Sequence, residues 1–189
     1  MLRSRLMPVL LPALLIATPL LANGAAPALA LPNAPAAGVC DVSQNAMSMD
    51  SEELAALADI NAYRASYGES PLAPSQTLTR AAAWKSGSMA AGAPFGHDDS
   101  FRSWWQRLGD CGYPDDSYGA AENIAAGETT GGATVADWEK SPPHNENLLN
   151  PTYTAAGLKR VHSTNPGDPY GWYWTLDFGG DLDAPLGSQ

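Results

Sequence analysis

The sequence predicts an α/β domain in which one mixed sheet is covered by helices on both faces. Three observations carry that prediction: helix-period apolar patterns fill the first half of the domain, strand-like runs cluster in the second, and no internal repeat or glycine-rich phosphate loop interrupts them. The elements follow in order. Arg3 and Arg5 precede an apolar run over residues 6–21 that is broken by Pro8, Pro12 and Pro19, so residues 1–26 read as a secretory signal peptide. Cleavage is expected after Ala26, or as late as Ala30, and the run is too short and too proline-broken to span a membrane. Residues 27–49 read as a flexible lead-in, rich in Ala and Pro up to Val39, and residues 181–189 as a C-terminal tail. The domain proper is placed at residues 50–180.

Asp50 with Glu53 three residues later has the form of a capping box. Leu54, Leu57, Ile60, Tyr63 and Tyr67 then recur at helical spacing up to Gly68, which predicts the first long helix. A second helix is predicted over 75–92, stopped by Pro94, with His97 in the loop behind it. Residues 101–108 read as a short aromatic helix ending at Gly109, and Pro114, Asp115, Asp116 and Gly119 as a turn. Residues 120–126 are apolar except for Glu122 and Asn123 and are bounded by glycines, as in a buried strand. A further helix carries Thr134, Val135 and Trp138; Pro142 and Pro143 are expected to end it and leave His144 just beyond. Two strands, over 153–161 and 170–178, flank a turn at Asn165 to Pro169.

Composition narrows the function classes. The chain carries 20 acidic against 10 basic residues, and two of the basic ones lie in the signal. That excess disfavours nucleic acid and anionic lipid headgroups as partners. No segment after the signal approaches a membrane span. Cys40 and Cys111, in an exported chain, predict one disulfide from the start of the domain to its middle; closing a loop of that length stabilises by roughly 4 kcal/mol in the chain-entropy model. The tryptophans read mostly as core, but Trp104 and Trp105 cannot both face inward from one helix, so one is expected at the surface.

His97, Glu122 and His144 each sit in a recognisable local pattern: Phe95-Gly96-His97, Ala121-Glu122-Asn123-Ile124-Ala125, and Trp138 followed by Ser141-Pro142-Pro143-His144. Two imidazoles and a carboxylate in one cleft suit a divalent metal, a proton-transfer pair or a polar ligand. With Asn61-Ala62-Tyr63-Arg64, Asn147 to Tyr153, Gly157, Tyr173-Trp174-Thr175 and Phe178-Gly179, these pieces resemble the CAP superfamily, the cysteine-rich secretory, venom-antigen and pathogenesis-related proteins. The likeness is to its shorter bacterial branch. It implies an α-β-α sandwich with a single central mixed sheet. It also implies a cleft of two histidines and two acids, of which His97, His144 and Glu122 match three places and Ser141 stands at the fourth. Ala121 and Asn145 are two smaller departures, from an expected glycine and an expected arginine.

Three functions remain open at this point. The first is a secreted or periplasmic binding protein, expected to be monomeric, that uses the His97, Glu122, His144 and Ser141 cleft for a divalent cation, lipid or protein ligand. The second is a metal-assisted hydrolase in which His97 and His144 hold zinc and Glu122 serves as general base to a bound water. The third is an adhesive surface protein that works through Trp104 or Trp105. Against all three stands a polar cluster that merely fastens loops to the sheet. Ser141 before Pro142 reads as a helix-end residue rather than a nucleophile, since no Gly-x-Ser-x-Gly elbow surrounds it. His162 reads as a surface histidine.

Overall fold

The alternation of side chains along three strands decides which helices pack on which face of the sheet. The computed structural model describes residues 40–114 and 119–180. The expected signal, its cleavage sites, the lead-in up to Val39, the centre of the 114–119 turn and the tail lie outside them. Strands β1 (Ala73–Pro74), β2 (Ala120–Ala126), β3 (Ala155–His162) and β4 (Trp172–Gly179) form one sheet in the order β1-β3-β4-β2. β1 pairs in parallel with β3, while β4 runs antiparallel to both β3 and β2, so the sheet is mixed and β2 is an edge.

Ala156, Leu158, Trp174, Leu176, Phe178 and Ala121 face one way. There they meet Ala56, Leu57 and Ile60 of α2 (Ser51–Ser66), Val135 and Trp138 of α5 (Gly131–Lys140), and Leu148 of α6 (Pro142–Leu148). Ala155, Ile124 and Tyr173 face the other way, onto Leu78, Ala81, Met89 and Ala90 of α3 (Gln76–Ala90) and Leu108 of α4 (Trp104–Asp110). The predicted sandwich of helices on both faces is therefore the observed one.

Local chemistry sets the helix starts. The Asp50 carboxylate accepts from the N–H groups of Glu52 and Glu53, both at 2.9 Å, and Glu53 accepts from the Asp50 N–H at 2.8 Å, which completes the expected capping box. The Ser75 hydroxyl accepts the Leu78 N–H at 3.1 Å to open α3. α4 begins later than its aromatic run, because Ser103 and Gln106 form a second capping box and leave Phe101 outside and exposed.

The predicted stop at Pro142 and Pro143 is corrected. α5 does end at Lys140, but the prolines occupy the first turn of α6 and start it; a proline there removes an N–H that has no helical partner anyway. His144 is thus inside a helix rather than past one. Two small elements had no counterpart in the sequence reading: β1, and the single turn α1 (Gln44–Met47).

Two close connections hold the frame. Gly157 on β3 lets the α3 backbone approach so near that an added Cβ would lie 2.1 Å from Leu78 C and Thr79 N. Cys40 and Cys111 are bonded, as expected, with a Cα–Cα separation of 5.2 Å. Cys111 is the C-cap of α4, so the bridge fastens the residues before α1 to the end of that helix.

Candidate functional site

Consecutive residues of the edge strand β2 point to opposite faces, and each picks up one histidine-bearing segment. Glu122 faces α3 and α4. Its Oε1 lies 2.9 Å from His97 Nδ1, and its Oε2 accepts from Arg107 Nη2. The Glu122 side chain is 1% exposed while that of His97 is 47% exposed, so a buried carboxylate aims a half-open imidazole at solvent. Asn123 faces the other layer. Its Nδ2 donates to the His144 carbonyl at 3.1 Å, and its Oδ1 accepts from Asn147 Nδ2 at 2.8 Å, which fixes α6 to the strand.

The loop between α3 and α4 is held by charge. Arg107, fully buried, donates from Nη1 to Asp99 Oδ1 at 2.7 Å and to the His97 carbonyl at 3.1 Å. Arg102 Nε bonds Asp99 Oδ2 at 2.8 Å, and Lys85 Nζ reaches the Asp98 carbonyl at 3.0 Å. Asp98 Oδ1 accepts the Trp104 N–H at 2.9 Å. The backbone at His97 and Asp98 is thereby tied to buried cations, and the Asp98 side chain to a helix start.

The electrostatics follow from burial. Burial first, and then the charge of His97, lowers the His144 imidazole below its ordinary value. Burial opposes charge on Arg107, but Glu122, Asp177 and Asp99 outweigh it and hold the guanidinium charged. Burial, and then the Arg107 charge, pulls the Lys85 ammonium down. Tyr63 donates to Asn145 Oδ1 at 2.8 Å, and desolvation with its neighbour Tyr67 pushes its phenol up to about 12.

Glu122 holds the His97 ring at the β2 edge, and the next residue along the strand, Asn123, holds the backbone of His144. Ser141 sits at the α5–α6 junction. Its N–H donates to the Trp138 carbonyl and its carbonyl accepts from Asn145, while its side chain makes no capping bond. His162 packs edge-on against Trp172 with ring centroids 4.8 Å apart. Trp104 packs into the α3–α4 core while Trp105 is 53% exposed, which resolves the tryptophan pair.

Sequence reasoning missed Arg107, Asp99 and Asp177. The one signal available was Asp177 itself, a charge in the middle of an otherwise apolar strand.

These residues fit a zinc centre poorly. Glu122 has spent both oxygens on His97 and Arg107, and the buried guanidinium already supplies the positive charge that a metal would bring. Among the described residues no group of three His, Cys, Asp or Glu is spaced to hold an ion, whereas zinc takes three or four protein ligands.

Residues 57–178 match the CAP model, described as the cysteine-rich secretory protein family. Uncharacterized protein YkwD of Bacillus subtilis (strain 168) is 34% identical over 120 residues, which span 62% of this chain and 43% of that protein. The chain thus matches less than half the length of this curated relative. An extracellular protein containing a SCP domain from Bacillus anthracis superposes with a TM-score of 0.61 at 24% identity, over 75% of this chain and 45% of that one. An outer surface protein from Borrelia burgdorferi gives 0.60 at 21%, over 69% of this chain and 95% of that one. A cysteine-rich secretory protein from Staphylococcus aureus gives 0.52 at 17%, over 69% and 38%. At these identities the solved structures speak for the fold alone.

Proposed function

Since the chain belongs to the cysteine-rich secretory protein (CAP) family, we propose that it is an extracytoplasmic binding protein that takes its ligand at the His97–His144 edge without turning it over. The observation that carries this reading is the occupation of Glu122. A general base needs a free carboxylate within reach of a water. Glu122 is instead sealed at 1% exposure between His97 and Arg107, where it orients an imidazole. His97 then offers one fixed ring to solvent, and His144, disfavoured as a cation, offers a second. Such a pair suits a ligand that both donates and accepts hydrogen bonds, such as a lipid headgroup or a peptide.

The location is supported by the Cys40–Cys111 disulfide, which persists in oxidising compartments, and by the extracellular and outer-surface names of the similar proteins. The acidic charge argues against nucleic acid, and no helix among the described residues is long and apolar enough to cross a membrane.

The test follows the His97 and His144 ring signals by NMR while the protein is titrated with zinc, with vesicles containing phosphatidylethanolamine and with an unstructured peptide. Ester and peptide hydrolysis is assayed beside it, with and without chelator. The reading expects one probe to move both rings, a His97→Ala, His144→Ala variant to lose that response, and no turnover. Chelator-sensitive hydrolysis would replace it with the hydrolase. A second reading rests on the exposed Trp105 indole and makes the chain an adhesive surface protein. Partner binding that survives the double histidine variant and fails in Trp105→Ala would favour it.

A further inference from the structure

Beneath the candidate site lies a carboxyl group that the preceding reading does not use. Asp177 stands directly opposite Glu122 in the β2–β4 register, and opposite Gly157 on its other side. It is 0% exposed, and among the described residues no donor reaches either of its oxygens; its polar neighbour is the Glu122 carboxylate. Burying an ionised carboxylate in that condition is among the costliest arrangements a protein can hold.

The charges that face Asp177 come from each neighbouring element. β2 supplies Glu122, α4 supplies Arg107, and the loop before α4 supplies Asp99; α3 supplies Lys85, one ion pair further out, and β3 places Gly157 opposite Asp177 with Lys159, two residues along, paired to Glu53. Arg107 is the cation in that set that acts on Asp177. Both of its Nη atoms are spent, on Asp99, the His97 carbonyl and Glu122, while its Nε–H is buried with no acceptor among the described residues. One unspent donor and one undonated carboxyl therefore share a buried cluster without meeting.

We infer that Asp177 is a proton-carrying positioning residue: as the neutral acid it leaves Arg107 clamped on Glu122, and on ionising it draws Arg107 toward itself and loosens Glu122 and His97. The inference rests on the binding-site reading for its functional meaning, but its test reads a proton and not a ligand. As two anions, Asp177 and Glu122 repel. With a proton on Asp177 the contact becomes attractive, because the acid then has a donor to offer the neighbouring carboxylate. Burial, and next the charge of Glu122, holds the Asp177 carboxyl well above the usual carboxylate range, with Arg107 opposing. The folded state thus keeps a proton that the unfolded chain releases. The stability tied to it is full below the ordinary Asp value of 3.8 and is lost as pH rises through the folded value.

The experiment is a carbon-13 carboxyl NMR titration of the full chain, run beside the His97 ring signals and repeated in Asp177→Asn. Expected is an Asp177 resonance that remains that of the acid after the exposed carboxylates have ionised. The His97 ring signals should show an inflection that coincides with the Asp177 titration and vanishes in Asp177→Asn, whose thermal stability should be flat across the same pH window. An Asp177 resonance that titrates with the exposed acids overturns the inference, and this wild-type reading stands even if the variant does not fold. An inflection in His97 that persists in a folded Asp177→Asn also overturns it. Ligand titrations that leave both histidines unmoved would remove the binding reading and leave the buried proton in place.

Discussion

Replacing Arg107 by leucine tests the electrostatic frame of the site at its centre. The guanidinium is fully buried and serves three acceptors: Asp99 at 2.7 Å, the His97 carbonyl at 3.1 Å, and Glu122. Leucine fills part of the volume but supplies no donor. Asp99 keeps Arg102 and Lys85, whereas Glu122, at 1% exposure, keeps no cation of that kind, only the His97 contact and the neighbouring Asp177 carboxyl. Removing one partner of a buried ion pair costs about 3–5 kcal/mol, and the remaining partners of Asp99 put the expectation toward the lower end. Urea unfolding of the wild type and Arg107→Leu at neutral pH measures it directly. A double variant, Arg107→Leu with Glu122→Leu, should lose less than the sum of the two single changes. A single Arg107→Leu within about 1 kcal/mol of wild type, the range of an exposed pair, would refute the buried clamp.

Gly157→Ala should destabilise by about 1–3 kcal/mol or prevent folding, because the new methyl meets helix backbone at 2.1 Å and not a flexible side chain; thermal melting reads it. Reducing the Cys40–Cys111 bridge, or replacing both cysteines by serine, should cost roughly 4 kcal/mol given its sequence separation of 71, as seen in the urea midpoint with and without reductant. His144 has its folded value lowered, so its contribution is present above its ordinary 6.5 and is lost as pH falls through the folded value. His144→Gln should therefore flatten that part of the melting-temperature profile, and an unchanged profile would count against the burial of the ring.

The long elements were legible because local chemistry and global packing agree in them. Asp50 and Glu53 announce a helix start by spacing alone, and the apolar run around Glu122 reads as a buried strand because both of its faces are covered. The prolines before His144 misled for a physical reason: the same ring that stops a helix interior is well placed in a first turn, and only packing against Trp138 and Leu148 decides between them. The histidines were found through their local patterns. Arg107 was not, since an arginine in a short helix rich in tryptophan reads as surface. Its burial is a property of Asp99 and Glu122, which meet it from a loop and from a strand on separate parts of the chain. Ion networks of this kind are made by tertiary structure and leave almost no periodicity behind.

The neighbouring pair Glu122 and Asn123 has a consequence for how the site can change over time. One peptide bond joins the residue that governs the His97 loop to the residue that governs α6, on opposite sides of the sheet. A one-residue insertion or deletion before it in β2 would turn Glu122 away from Arg107 and Asn123 away from the carbonyl of His144. Both walls would fail in a single event. These two positions are therefore locked to each other and to the strand's phase.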